Sequence, residues 1–437
     1  MNGLSRRRLL KGSLYGAGAT VLAPALGACG SVTGSVSDAD EVQFWNLFQG
    51  PDGALMKDIT RDIERRTPGL KVRSTVLEWG APYYTKLAMA SAGGRSPDLA
   101  ILHLTRLPGY APGGLLDPFD MDLLAEFGVR REDLNESVFK RCLYEGEPYA
   151  IPLDTHPFII YFDRDMMDKS GLLKSDGQPV PFESPAHYLE LAEKLRADHP
   201  GKLGPVFGHA TDAGMGWRMF WTLSNQTDAT FDLSGRRLEM DREKAVEIVE
   251  FMADIVRPDC RTMDLTTAIA TFANGQSPLI FAGEWELNTF RTAKTDTLGA
   301  APFPTFFDRP GGASDSHSLV LPHRTDADPR RRRRTHQFVA ELLKSSLAWA
   351  EAGHIPAYLP VVESKEYAGL RPQADYAAAA DHPVLDPQAW FTGSGSDFQN
   401  RMCQALQPTL TGAASARSAV RTMESEINTL LSKPNPA

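Results

Sequence analysis

Residues Tyr144 to Met167 read YEGEPYAIPLDTHPFIIYFDRDMM. An apolar strand around Tyr149 and Ile151 runs into the break Pro152-Leu153-Asp154-Thr155-His156-Pro157. A second apolar strand, Phe158 to Phe162, follows, with a helix start at Asp163 or Asp165. Proline holds the residue before it extended, so two strands meeting at such a break read as a chain passing from one lobe to another. The break falls about a third of the way along 437 residues, a length that predicts two or three domains of roughly 100 to 200 residues.

Upstream of this crossing the patterning alternates between strand and helix. Glu41 to Leu47 is a strand, and the loop Phe48 to Gly53 opens a helix with Leu55, Ile59 and Ile63 on one face. Leu70 to Leu77 is a second strand, a helix runs from about Pro82 to Ala92, and Pro97 to Leu102 is a third strand. That order implies right-handed crossovers and a parallel sheet, in which ligands bind beyond the carboxyl ends of the strands. Those ends are Asn46 to Asp52, Glu78-Trp79 and His103 to Thr105. Downstream, Ser184 to Ala197 and Asp241 to Val256 are amphipathic helices, Gly214 to Leu223 is aromatic and helical, and Leu265 to Phe272 is a helix. Pro278 to Ala282 is a strand ending at Gly283-Glu284-Trp285. Thr297 to Pro304 reads as the return crossing, and Ser314 to Pro322 as a strand of the first lobe.

The segment also resembles one found in family 1 extracellular solute-binding proteins of carbohydrate ABC transporters. Gly146, Tyr149, Ala150, Ile151, Pro152, Asp154, Tyr161 and Asp165 carry the likeness, and the opening Phe44-Trp45-Asn46 strand and Gly283-Glu284-Trp285 extend it over Glu41 to Leu431. The general look is similar to actinobacterial sugar- and amino-sugar-binding lipoproteins. The resemblance implies an α/β, bilobal periplasmic-binding-protein-like fold (type II) with a multi-strand hinge. Lobe 1 is then expected over 41–152 plus 303–328, and lobe 2 over 153–302 plus 329–437.

The first 29 residues read as a targeting segment. Arg6-Arg7-Arg8-Leu9-Leu10-Lys11 precedes a stretch too short and too rich in glycine and alanine to span a membrane. The twin arginine resembles a Tat signal, and Leu26-Gly27-Ala28-Cys29 resembles a lipobox whose cysteine becomes the lipid-modified terminus of the mature protein. Residues 30–40 are then a tether. Removing residues 1 to 28, which carry four basic and no acidic side chains, takes the formal charge from −9 to −13. A body that acidic lacks the basic surface that nucleic acid requires. The run Arg330 to Arg334 follows a helix start at Asp328 and reads as the solvated first turn of a surface helix. Cys142, Cys260 and Cys403 show no zinc-like spacing, which argues against a metal site and leaves their pairing open.

Sugars are recognised by aromatic faces under C–H surfaces and by polar groups within reach of several hydroxyls. The aromatic candidates are Trp79, Trp217, Trp221, Trp285 and Trp390. Trp285 sits where a strand turns outward, whereas Trp217 and Trp221, one helical turn apart, fit a core stripe and a cleft wall equally. Polar candidates are Asn46, Gln49, Asp52, His103, Asp154, His156, Glu284, Asp315 and His317. Asp154 and Glu284 lie at strand ends beside the crossings and are expected to face the cleft. For Asp52 and Asp315 a cap or turn role is the stronger reading, given Gly53 and the neighbouring serines.

Catalytic motifs for zinc proteases, serine hydrolases, nucleotide-binding loops and dinucleotide folds are absent from the sequence. The expected function is the extracytoplasmic substrate-binding component of an ABC importer. It would be a lipid-anchored monomer without cofactor or catalysis, binding a mono- or oligosaccharide, amino sugars included, and delivering it to permease subunits. The alternatives are a secreted glycoside hydrolase using Asp154 and Glu284 as its carboxylate pair, or a glycerophosphodiester-binding protein of the same fold.

Overall fold

In β1 (Glu41–Asn46) Val42, Phe44 and Asn46 are buried and alternate with partly exposed neighbours, the period of a strand with one face on a core. The computed structural model that defines this strand describes residues 41–211, 214–326 and 328–435. The twin-arginine segment, Cys29 and the tether lie outside the described residues. Helix α1 (Gly50–Arg66), carrying Met56, Ile59 and Ile63 on its buried face, leads to β2 (Lys71–Val76), and α2 (Ala81–Ala92) leads to β3 (Leu99–His103). Both strands pair in parallel with β1, one on each side. A βαβαβ sheet therefore forms as the patterning predicts, and its strand ends point Trp79 and His103 to the same end.

Strand β4 (Ala150–Pro152) closes this first sheet, and a single residue, Leu153, separates it from β5 (Asp154–Asp163). The sequence reading placed a break over Pro152 to Pro157, but the backbone is already paired from Asp154. All ten residues of β5 are buried, because strands of the second sheet flank it on both sides. β6 (Leu279–Gly283) pairs antiparallel with Phe158 to Phe162, and β7 (Leu298–Pro302) pairs antiparallel with Ile159 to Asp163. The second lobe grows around this spine as an aromatic core that includes Phe158, Phe281, Phe303 and Phe306.

The return to the first lobe lies further on than the sequence reading put it. β7 stays in the second sheet, and so does β8 (Gly312–Asp315), which pairs with His156 and Pro157 of β5. β9 (His317–Pro322) pairs with β3 and β4 of the first sheet. Ser316 alone lies between, so residues 303–315, expected in lobe 1, belong to the second sheet and its core, where Phe303 stacks on Phe158 at 5.2 Å.

Residues 329 onward also divide differently. Helix α3 (Pro329–Lys344) was expected in lobe 2, but Phe338, Val339, Leu342 and Leu343 pack into the first core, with Phe338 edge-on to Phe44 at 5.5 Å. A mainly parallel sheet needs helices on both faces, and α3 packs beside α1 on the face that Phe44 presents. Of the arginine run, Arg331 and Arg332 are drawn in. Arg331 lies 3.8 Å from buried Asp98, and Arg332 donates to the Pro118 carbonyl. The chain returns to the second sheet at Ile355-Pro356, which pairs with Thr155 and Asp154, and Tyr376 to Leu430 complete the second core. Cys142, Cys260 and Cys403 are buried, and no disulfide joins them.

Candidate functional site

The two crossings run side by side and are bonded to each other. Leu153 donates its N–H to the His317 carbonyl at 2.8 Å, and His317 donates its N–H to Asp154 Oδ1 at 2.8 Å. A cavity of about 300 Å³ opens against them. Gln49, Asp52, Trp79 and His103 line it from the carboxyl ends of the first sheet, while His156, Arg218 and Trp285 line it from the second. His317, His354 and Ser394 also line it, with Leu47, Phe48, Met215 and Leu265 as its apolar wall. Trp79 is 41% exposed, so its ring is available to a ligand. The Trp285 ring carries the Arg218 guanidinium 5.3 Å over its face. It folds back so closely on Gly283 that a Cβ there would sit 2.1 Å from a ring carbon, which explains the glycine two residues before it.

Asp154 is the hub beneath the wall. Its carboxylate is fully buried and accepts Nδ1–H from His317 at 2.8 Å and from His156 at 3.1 Å, and Nε1–H from Trp349 at 2.8 Å. Burial would raise its carboxyl, but the surrounding imidazoles and hydrogen bonds outweigh that and hold it well below the usual carboxylate range. Burial pushes the His156 imidazole down to about 3, and it pushes His103 well below its usual range, so both rings are neutral. His103 Nδ1 lies 2.7 Å from the Tyr84 hydroxyl.

His354 behaves in the opposite way. Burial opposes its charge, yet the Glu284 carboxylate, 2.8 Å from Nδ1, and the Asp52 carboxylate, 3.3 Å from Nε2, hold it well above the usual imidazole range. The cation pairs with a Glu284 whose own carboxyl is raised by burial. Glu284 and Asp154 are both fully buried and are not among the cavity-lining residues. This corrects the expectation that they face the cleft: they lie behind the histidines and set their protonation and orientation.

Five other candidates sit away from the main cavity. Asn46 is spent on structure, bonding Ser74 and the Phe48 N–H. Trp217 and Trp221 stack on each other at 5.3 Å in the second core and donate to Asp386 and the Leu385 carbonyl, which decides between their two readings in favour of the core. Trp390 packs on that core edge-on to Phe391. Asp315 accepts from Thr105 N–H and Oγ1–H and from Ser316 N–H, and it lines a side chamber of about 20 Å³ with His156, Arg218 and Trp285. Sequence reasoning missed Arg218, His354 and Ser394. Arg218 follows Trp217 by one residue on a helix already singled out, and His354 stands in a Gly353-to-Tyr358 turn, so only their partners were hidden.

Residues 59–383 match the family model described as bacterial extracellular solute-binding protein. The maltotriose-binding protein of Pyrococcus abyssi is 20% identical over 369 residues, covering 80% of this chain and 73% of its own. The acarbose-binding GacH receptor of Streptomyces glaucescens superposes with a TM-score of 0.73 at 18% identity, over 90% of this chain and 98% of its own. UgpB of Mycobacterium tuberculosis, solved with glycerophosphocholine, superposes with a TM-score of 0.72 at 17% identity, over 90% and 98%. These solved structures share the two-lobed fold described above.

Proposed function

The chain belongs to the bacterial extracellular solute-binding proteins, and from that premise we propose that it binds a mono- or oligosaccharide between its lobes and delivers it to the permease of an ABC importer. One observation carries the carbohydrate reading: Trp79 of the first lobe and Trp285 of the second line one cavity together with neutral imidazoles and a guanidinium. Indole faces suit the C–H surfaces of a pyranose, and the polar groups suit its hydroxyls. The relatives named for maltotriose and acarbose support the same ligand class. In this reading the protein is a binder rather than a glycosidase, because its two candidate carboxylates are enclosed and already bonded or ion-paired.

Ligand contacts made from both lobes favour a closed arrangement, so binding free energy shifts an equilibrium about the crossings at Leu153 and Ser316. The anchored form of this proposal has a twin-arginine leader removed before Cys29, a lipid on that cysteine, and a monomer held at the outer face of the cell membrane. Among the described residues no helix is long and apolar enough to cross a membrane. A thermal-shift screen against a sugar panel tests the central claim. A cognate sugar at 100 times its Kd stabilises the protein by about 2.7 kcal/mol. A panel of mono- and oligosaccharides without any shift would overturn the carbohydrate reading.

A further inference from the structure

We propose that His103, His156 and His317 form a site for a divalent transition-metal ion of the zinc class, with an open coordination position facing the cleft. One ligand nitrogen from each lies within 4.8 Å of those of the other two. The ring centroids stand 4.2 Å apart for His156 and His317, 4.8 Å for His103 and His317, and 5.2 Å for His103 and His156.

The arrangement behind the rings makes this more than a cluster. A metal-bound imidazole gives its other ring N–H to a carboxylate or similar acceptor, which fixes the tautomer and aims the lone pair at the ion. Asp154 does this for two rings at once, one carboxylate oxygen for His156 and the other for His317, and the Tyr84 hydroxyl stands in the same relation to His103. Nε2 of each ring is left for a ligand. The rings are 5–7% exposed yet all line the cavity, which is how a site with three protein ligands keeps a fourth position open. Asp154, Glu284 and Asp52 supply three carboxylates nearby, set against two cations, His354 and Arg218. Zinc–nitrogen bonds of 2.0–2.1 Å in a tetrahedron place ligand nitrogens roughly 3.3 Å apart, so the rings close inward on binding.

A second set, Asp154, His317 and His354, also lies within 4.8 Å. It is the poorer one, because Asp154 already accepts from His156, His317 and Trp349, and His354 is engaged by Glu284. Imidazole ligands select zinc, copper, nickel or iron over magnesium or calcium. The ion would tie His103 and His317 of the first sheet to His156 of the second, across the hinge. This goes beyond the carbohydrate reading and stands without it.

The test uses tag-free protein, treated with EDTA and returned to sugar-free, chelator-free buffer. Cobalt(II) should bind one per chain with the intense visible absorption of a four-coordinate complex, and one equivalent of zinc should displace it. His103→Phe, which keeps a ring in place and touches neither Asp154 oxygen, should weaken binding roughly 100-fold or more while circular dichroism and melting stay close to wild type. Asp154→Asn should weaken it about 10- to 100-fold through the lost orienting acceptor. A wild-type protein that gives no four-coordinate cobalt spectrum, or one whose binding is unchanged in His103→Phe, would overturn the proposal. Repeating the sugar screen in EDTA and in zinc separates this outcome from a failure of sugar recognition.

Discussion

The imidazole of His354 lies flat on the indole of Trp349, with centroids 4.3 Å apart and planes 3° from parallel. The same indole donates Nε1–H to Asp154 at 2.8 Å, so one side chain supports both the cationic and the anionic part of the site. Trp349→Phe keeps a ring under His354 but removes a donor to a buried carboxylate. It should lower stability by about 1.5–3 kcal/mol, read as a shift of the urea midpoint at unchanged m-value.

Asp154→Ala is the more severe change. It strips the acceptor from four buried donors and leaves the His354 charge with fewer partners, and breaking such a buried network by removing one side typically costs about 3–5 kcal/mol. Chemical denaturation should show this loss together with weakened ligand binding. Unchanged stability would mean the hub is dispensable.

Trp79→Ala and Trp285→Ala should each weaken sugar binding by roughly 2 kcal/mol, near 30-fold in Kd by calorimetry, because each loses a stacked ring face. Melting of the ligand-free protein should change little for Trp79, which is already half-exposed. Trp217→Ala should do the reverse in stability, costing about 3–5 kcal/mol by opening a hole in the second core.

Gly283→Ala should reproduce much of the Trp285→Ala binding defect with the indole still present. The added methyl occupies the space of the ring, so Trp285 must swing off the cavity wall. Tryptophan fluorescence should report the displacement in the same variant.

Asp315 sets a pH dependence. Burial raises its carboxyl from the ordinary 3.8 to about 6, against the hydrogen bonds from Thr105 and Ser316 that lower it. The folded state thus holds this proton more tightly than the unfolded one. Its contribution is full below pH 3.8 and is lost as pH rises through about 6, a change of roughly 3 kcal/mol. Asp315→Asn should therefore flatten stability between pH 4 and about 7 relative to wild type, measured by denaturant midpoints across that range.

The sequence by itself determined the βαβαβ start of the first lobe, because periodicity and Gly/Pro punctuation are local signals. It also determined the apolar spine Phe158 to Phe162 and the placement of Trp79, His103 and Trp285 at strand ends. Only the tertiary structure decided which lobe takes residues 303–315 and 329–350, since an amphipathic helix such as Pro329–Lys344 carries an apolar face but no address for it. The same holds for the site. Asp154 reads as a carboxylate at a strand end, and nothing local says that Trp349, 195 residues on, will donate to it, or that His354 will reach Glu284 from a turn. Burial, and with it the protonation of every one of these groups, is a property of what packs around them, and it arises only once distant strands have met.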